Sequence, residues 1–398
     1  MNFFNSVSSP TLSPFSDDCL SLLDPLIERI ADVASDTDSE GAFPEDAFTW
    51  LAEAGLLAIT LPGHDLDFME GQTARLLHLL KRIGSANLAV GRVYEGHINA
   101  LYLIHLYATP SQRTAWYDDV IQHHRLFSVW NTQAGDGVSL VEQVSSTGDI
   151  TYRLQGSKTF CSGAGWVQRP LITGELQTTD QQETHRKGWQ MAVVPTERVS
   201  AIDQHDQFWR PLGMRASASF KLDFTGVELT DDDLLGHPGN YFQQPVFSGG
   251  AIRFAAVQLG GAEALYESTR QFLVQANRTD DVFQQTRLAE MAYLIESGNQ
   301  WIRLAGDNTD RWLAEGADWQ KIVAYANMTR TAIEEICLRI MPLAERCVGA
   351  RGLLRPHPFE RIHRDLTLYL RQPAPDATLV DIGKFVLTNT RAADELWH

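Results

Sequence analysis

Residues Tyr152 to Trp166 read Tyr-Arg-Leu-Gln-Gly-Ser-Lys-Thr-Phe-Cys-Ser-Gly-Ala-Gly-Trp. Tyr152 and Leu154 alternate with polar neighbours, as a half-buried strand requires, and Gly156 supplies the turn that ends it. Phe160 then delivers Cys161, Ser162 and Gly163 into a second bend, where backbone N–H groups are predicted to lack ladder partners. A strand running into a glycine-bearing turn with free donors is a place to hold the polar edge of a ligand ring.

The pattern changes on both sides of this stretch. Upstream, Leu20, Leu23, Ile27 and Ile30 recur at three- and four-residue steps, which predicts an amphipathic helix over 17–33. Pro44 opens a second helix that closes at Gly55. Helical periods continue over 73–83, 90–107 and 111–122. From Arg125 the period becomes two: Leu126, Ser128 and Trp130 alternate with Phe127, Val129 and Asn131, and similar runs recur at 189–194 and 220–224. No long helical pattern separates these strands, so a parallel doubly wound sheet is not expected. After Pro245 the helical period returns, through Phe254, Val257 and Leu265 to Ile333, Ile336 and Ile340. Gly260 and Gly261 read there as packing residues that let helices approach closely.

Composition narrows the function classes. Fifty acidic against 33 basic residues in 398 leave a net charge of −17, with no basic run, which disfavours a nucleic-acid partner. No window approaches the roughly 20 apolar residues of a membrane span, and the first residues carry no basic leader pattern, so a cytoplasmic protein is expected. Cys19, Cys161, Cys337 and Cys347 form no Cys-x-x-Cys, and no His-Glu-x-x-His occurs, so no metal site is expected. Neither a G-x-G-x-x-G after a strand nor a phosphate-loop motif is present, which leaves a nicotinamide or triphosphate enzyme without an anchor.

The segment Gln-Gly-Ser-Lys-Thr-Phe-Cys-Ser-Gly at 155–163 resembles the G-x-K-x-[W/F]-I-[T/S]-N-G strand of the acyl-CoA dehydrogenase superfamily. Gly-Met-Arg-Ala-Ser at 213–217 resembles the end of that family's β domain, and Phe-Pro-Glu-Asp-Ala-Phe-Thr-Trp-Leu-Ala-Glu-Ala-Gly at 43–55 its second helix. The resemblance covers essentially the whole chain. It implies an α+β fold of acyl-CoA dehydrogenase type: an N-terminal all-helical domain over 1–124, a middle antiparallel β domain over 125–236, and a C-terminal four-helix bundle over 237–398.

The resemblance also implies FAD, with FMN instead if the chain is a monooxygenase. By position it assigns flavin contacts to Asn131, Thr132, Phe160, Cys161 and Ser162, the Ser162 hydroxyl tuning the flavin N5. It assigns the phosphate and adenine end to Arg278, reaching across a subunit contact, and to Arg346, Gly349 and Gly352. A homodimer or homotetramer is implied, acting on a small-molecule substrate such as an acyl-CoA.

Two departures stand out. Where relatives carry Tyr-Gly-Gly after a proline, this chain has Leu-Pro-Gly-His-Asp-Leu-Asp-Phe at 61–68, a loop that often borders the acyl pocket. The family's catalytic Glu, which removes the α-proton while hydride leaves to the flavin, aligns with Pro373, and the alternative position near Arg253 holds Gly249, Gly250, Ala251 and Ile252. Asp376 is the nearest carboxylate that can replace it, with an N-cap role as the alternative. Arg253 is a candidate to orient a substrate oxygen. The expected reaction is α,β-dehydrogenation of an acyl thioester. A flavin monooxygenase or nitroalkane-oxidase-like enzyme is the alternative, and a noncatalytic relative that binds flavin or acyl groups is the third.

Overall fold

The computed structural model describes residues 23–178, 188–199, 208–371 and 374–397. Cys19, the first part of the helix expected over 17–33, and Pro373 lie outside the described residues. Five helices come first: α1 (Asp24–Asp32), α2 (Glu45–Glu53), α3 (Thr73–Ala86), α4 (Leu88–Tyr107) and α5 (Pro110–Ile121). Their ends follow from local chemistry. The Asn87 carboxamide accepts from Ala89 N at 2.9 Å, which restarts the chain as α4 in a new direction. Thr109 and Gln112 form a capping box ahead of α5, with Pro110 at its first position.

The middle region holds β1 (Phe127–Trp130), β2 (Ser139–Val144), β3 (Ile150–Gln155), β4 (Ser157–Cys161), β5 (Arg169–Gln177), β6 (Gly188–Val193), β7 (Phe220–Asp223), β8 (Glu228–Leu229) and β9 (Leu234–Leu235). The main sheet runs β8-β3-β2-β5-β6-β9, and β4 pairs with β7 in a separate ribbon. The expected antiparallel arrangement needs one correction, because β1 and β2 both run parallel to β5. Phe127 pairs with Arg169 and Ser139 with Glu175, so the two strands lie end to end along the edge of β5 that faces away from β6. The chain leaves that edge after Trp130, loops out, and rejoins it in the same direction at Ser139. Gly156 makes the close approach of this loop possible: its φ is +101°, and a Cβ there would lie 2.4 Å from Gly137 O.

The last region comprises α6 (Val246–Gly249), α7 (Ala251–Gln275), α8 (Val282–Ala314), α9 (Trp319–Gly352), α10 (Phe359–Tyr369) and α11 (Pro375–Thr388). α9 is kinked at Gly349, whose φ is 60° and ψ −169°. The four-helix bundle draws one member from the N-terminal region: α3 packs on α7 and α8, and α9 closes the ring against the same two helices. Lys81 on α3 fastens it, donating to Glu263 of α7 at 2.8 Å and to Asn299 of α8 at 3.0 Å. A Cβ at Gly260 would sit 2.0 Å from Lys81 O, so the glycine sets how near α3 and α7 come. The two helical regions therefore share one core. The Gly-Met-Arg turn and the Arg364-Asp365 pair also meet, with Met214 N donating to Asp365 Oδ1 at 2.5 Å.

Candidate active site

The loop between β1 and β2 is held from below by a lysine. Lys158 on β4 is fully buried, and its Nζ donates to Asn131 O at 3.0 Å, Gln133 Oε1 at 2.7 Å and Thr173 Oγ1 at 3.3 Å. Burial lowers its pKa from 10.5 to about 8. Thr173 Oγ1 donates in turn to Asn131 Oδ1 at 2.5 Å, and Thr159 N to Thr132 O at 2.9 Å. Trp130 ties this loop to the second bend, because its indole N–H donates to Ser162 O at 3.0 Å. Below β1, the buried His97 of α4 meets Leu57 O at 2.8 Å and accepts from Phe127 N at 3.0 Å. Burial drives the pKa of this imidazole down to about 4, so it stays neutral and serves as a strut.

Over this platform opens a cleft of about 440 Å³, walled by α4, the 129–132 loop, residues 241–254, α9 and the start of α11. Its polar side is a chain of contacts across α4 and α7. Arg92 pairs with the buried Glu95 at 2.7 Å, Asn99 donates to the other Glu95 oxygen, and Arg253 Nε donates to Asn99 Oδ1. Burial opposes the charge on Arg92, but Glu95 outweighs it and the net shift of the Arg92 pKa is upward. The guanidinium of Arg253 lies 5.1 Å from the centre of the Tyr102 ring. Arg330 of α9 lies 5.2 Å from that of Phe254. Tyr102, Val246, Gly250 and Arg253 also line an inner chamber of about 80 Å³, whose other walls include Leu66, Phe68, Leu76, Ile252, Leu313 and Ile322. The departing loop at 61–68 thus reaches this chamber through Leu66, Asp67 and Phe68.

Of the residues singled out from the sequence, Asn131, Thr132 and Arg253 line the cleft together. Ser162 and Cys161 are buried and do not line it; the Ser162 hydroxyl shares a 2.8 Å hydrogen bond with Ser219. The expectation of free N–H groups in the second bend is corrected. Ser162 N donates to Phe160 O at 2.9 Å within the bend itself, and Gly163 N donates to Ser217 O at 2.8 Å because 217–219 folds back alongside. Phe160, half exposed with φ 55°, joins Phe208 and Trp209 instead. Asp376 is exposed in the first turn of α11 and outside the cleft lining; it makes no cap hydrogen bond, that position being Ala374.

Arg278 pairs with Asp281 at 3.0 Å, and the electrostatic influence of both on Cys347 puts them beside the segment that holds Arg346, Gly349 and Gly352. That segment is 16 residues beyond the cleft-lining Arg330, about 24 Å along α9. The sequence reading missed Lys158, Arg92, Glu95, Asn99 and Arg330 as parts of the site.

The helical halves flanking a small sheet, with a cleft at their junction, define a class. The chain belongs to the acyl-CoA dehydrogenase superfamily: residues 24–124 match the acyl-CoA dehydrogenase N-terminal domain and residues 252–370 the C-terminal domain. Among individual relatives, the dibenzothiophene monooxygenase of Mycolicibacterium goodii is 23% identical over 85% of this chain and 86% of its own. Solved structures with the same fold include FMN-bound TdsC from Paenibacillus sp. A11-2, with a TM-score of 0.81 and 17% identity over 95% of this chain and 99% of that one. Butyryl-CoA dehydrogenase from Megasphaera elsdenii superposes with a TM-score of 0.78 and 18% identity, over 96% of this chain and all of its own. Among the described residues no helix is long and apolar enough to cross a membrane, and no cluster of metal-binding side chains occurs.

Proposed function

We propose that this chain is a flavin-dependent monooxygenase of the acyl-CoA dehydrogenase fold, taking reduced flavin from a separate reductase and oxygenating a small molecule that carries a short apolar group. The observation that carries this reading is the state of the carboxylates in the cleft. α,β-Dehydrogenation needs a carboxylate free to remove a proton at carbon. Glu95 has both oxygens committed, to Arg92 and Asn99. Asp381 is exposed on α11 and lies 3.6 Å from Lys384. The start of α7 offers no carboxylate, and position 373 is proline. The likeness to monooxygenases as well as dehydrogenases is compatible with either reaction, and the committed carboxylates are what support the monooxygenase reading.

The cleft suits a flavin ring. Asn131 and Thr132 present an amide and a hydroxyl at its rim, and Gly96 keeps the wall flat, since a Cβ there would come 2.9 Å from Ser128 Oγ. That Ser128 hydroxyl is buried and has no partner, which leaves a donor behind the wall. Asn131 and Thr132 would hold the ring edge, fixed in place by Lys158, while Tyr241 and Phe247 shield the cleft from water. Reduced flavin held there would supply two electrons to dioxygen, one oxygen atom going to the substrate and the other leaving as water. We further propose that Arg278 and the 346–352 segment serve a neighbouring subunit of a homo-oligomer, since Arg346 stands about 24 Å along α9 from the cleft-lining Arg330. Exposed apolar side chains such as Phe283, Leu379 and Leu387 are available for that contact.

Anaerobic titration tests the reaction. Flavin-loaded protein mixed with a panel of acyl-CoA thioesters should keep its oxidised spectrum, while addition of a flavin reductase with NADH and oxygen should yield oxygenated product from small substrates that carry a short apolar group. Bleaching by an acyl-CoA without reductase would restore the dehydrogenase reading. Failure to bind either FMN or FAD would remove both.

A further inference from the structure

The junction between the cleft and the inner chamber carries a cation without a counter-ion. Arg253 lines both spaces, and among the described residues no carboxylate lies within ion-pair distance of it. Its Nε is used by Asn99, a neutral partner, and its face rests on Tyr102. Glu95, one residue further along the chain of contacts, is already paired with Arg92. Burial works against the charge of Arg253, so the folded protein keeps a guanidinium whose terminal N–H groups have no anionic partner. Two other partly buried cations do have carboxylate partners, Lys81 with Glu263 and Arg364 with Asp38.

What the missing partner is follows from the space beyond. The apolar walls of the chamber are Leu66, Phe68, Leu76, Ile252, Leu313 and Ile322, and its polar walls include Gln72, Thr73 and Thr309. At about 80 Å³ it has roughly half the ~150 Å³ of an engineered cavity that takes up benzene, so a flavin ring is excluded and a branched group of a few carbons fits. The charges facing the junction come from several elements. Arg92 and Arg330 add to Arg253 from the cleft side, against Glu95 and Asp381. In the chamber Asp310 and Asp67 oppose them, but both carboxylates are already held by donors: Asp310 by Thr73 N at 2.8 Å and Thr73 Oγ1 at 2.5 Å, and Asp67 by Gly63 N and Met69 N, each at 2.9 Å.

We propose that the substrate is a small carboxylate-class monoanion whose charged group pairs with Arg253 and whose short branched hydrocarbon tail fills the inner chamber. This rests on the reading of the cleft as the active site, and it names the substrate class for that site. Arg253 is then the specificity-determining residue, setting the charged group at the chamber mouth and the tail within.

The test compares isovalerate with its neutral analogue isovaleramide, by calorimetry and by shift of thermal midpoint, on wild-type protein, Arg253→Met and Arg253→Lys, with FMN titrated separately on each. Wild type should bind isovalerate at least tenfold more tightly than isovaleramide. Arg253→Met should lose at least tenfold for isovalerate, leave isovaleramide unchanged and alter FMN affinity less than threefold, while Arg253→Lys should recover part of the loss. The wild-type comparison keeps the proposal testable if Arg253→Met fails to fold. Equal binding of the two probes by wild type, or an unchanged isovalerate affinity in Arg253→Met, overturns the proposal. So does a tenfold loss of FMN with isovalerate unaffected, which would give Arg253 to the flavin. A protein that binds isovalerate as expected but no flavin upholds the anion site and refutes the monooxygenase reading, so the two failures are distinguishable.

Discussion

Replacing Lys158 with methionine separates the stability of the β domain from the organisation of the cleft. The lysine holds a proton with a pKa near 8 in the folded chain against 10.5 when free, which at about 1.4 kcal/mol per pH unit means its burial as an ammonium costs roughly 3 kcal/mol near neutrality. Methionine removes that cost. It also strips a donor from Asn131 O and from Gln133 Oε1, each worth about 1–3 kcal/mol when left short, although Gln133 keeps its bond from Val138 N. The two effects are of similar size, so the Lys158→Met protein should stay within about 3 kcal/mol of wild type at neutral pH.

The pH dependence has a definite sign. Because the folded pKa lies below the unfolded one, the unfolded chain binds more protons between about pH 8 and 10.5, and wild-type stability from this residue rises across that window. Urea denaturation at stepped pH should therefore show wild type gaining up to about 3 kcal/mol relative to Lys158→Met on going from neutral to alkaline pH. With the 131–133 turn released, flavin affinity should fall by about tenfold or more, equivalent to ~1.4 kcal/mol. Parallel stability curves for the two proteins, or an unchanged flavin affinity, would refute the reasoning that this buried cation organises the site.

Other substitutions probe other links. Gly260→Ala places a methyl group 2.0 Å from Lys81 O, so α3 and α7 must part; a loss of about 1–3 kcal/mol or more in chemical denaturation is expected, and a change below ~0.5 kcal/mol would show that the contact yields freely. Trp130→Phe keeps one aromatic ring but removes the five-membered ring of a buried indole and leaves the Ser162 carbonyl without its 3.0 Å donor, which should cost at least about 1–3 kcal/mol; an unchanged unfolding midpoint would contradict that. Asp376→Asn should leave turnover within about twofold and lower stability by no more than the ~0.3–1 kcal/mol of a helix-dipole contact, because Asp376 is exposed and outside the cleft. A hundredfold fall in turnover would make it the catalytic base instead.

Much of the architecture was legible in the sequence because hydrophobic period reports which face of each element is buried. The switch from a 3.6-residue to a two-residue period near Arg125, and back after Pro245, separates helices from sheet. The Gln-Gly-Ser-Lys-Thr-Phe and Gly-Met-Arg segments carry the family. Gly260 was readable as a packing residue because a small side chain in an apolar helix stripe allows another helix to approach. Asn131, Thr132 and Arg253 were legible as cleft residues from their place relative to those segments.

Pairing between distant polar groups was decided only by the tertiary structure. Gly163 carries an N–H group that a local reading leaves free, yet the chain returns more than fifty residues later and Ser217 accepts from it. Lys158 looks like an ordinary strand lysine until β1 and its loop close over it. The amphipathic pattern of α3 says that the helix is buried, but not that its partners are α7 and α8. Arg253 becomes an unpaired cation between cleft and chamber only when α4 brings Asn99 and Tyr102 to α7, with Glu95 already taken by Arg92. A period encodes burial one element at a time, whereas the site depends on which charges and hydrogen-bonding groups are left over once all the elements have packed.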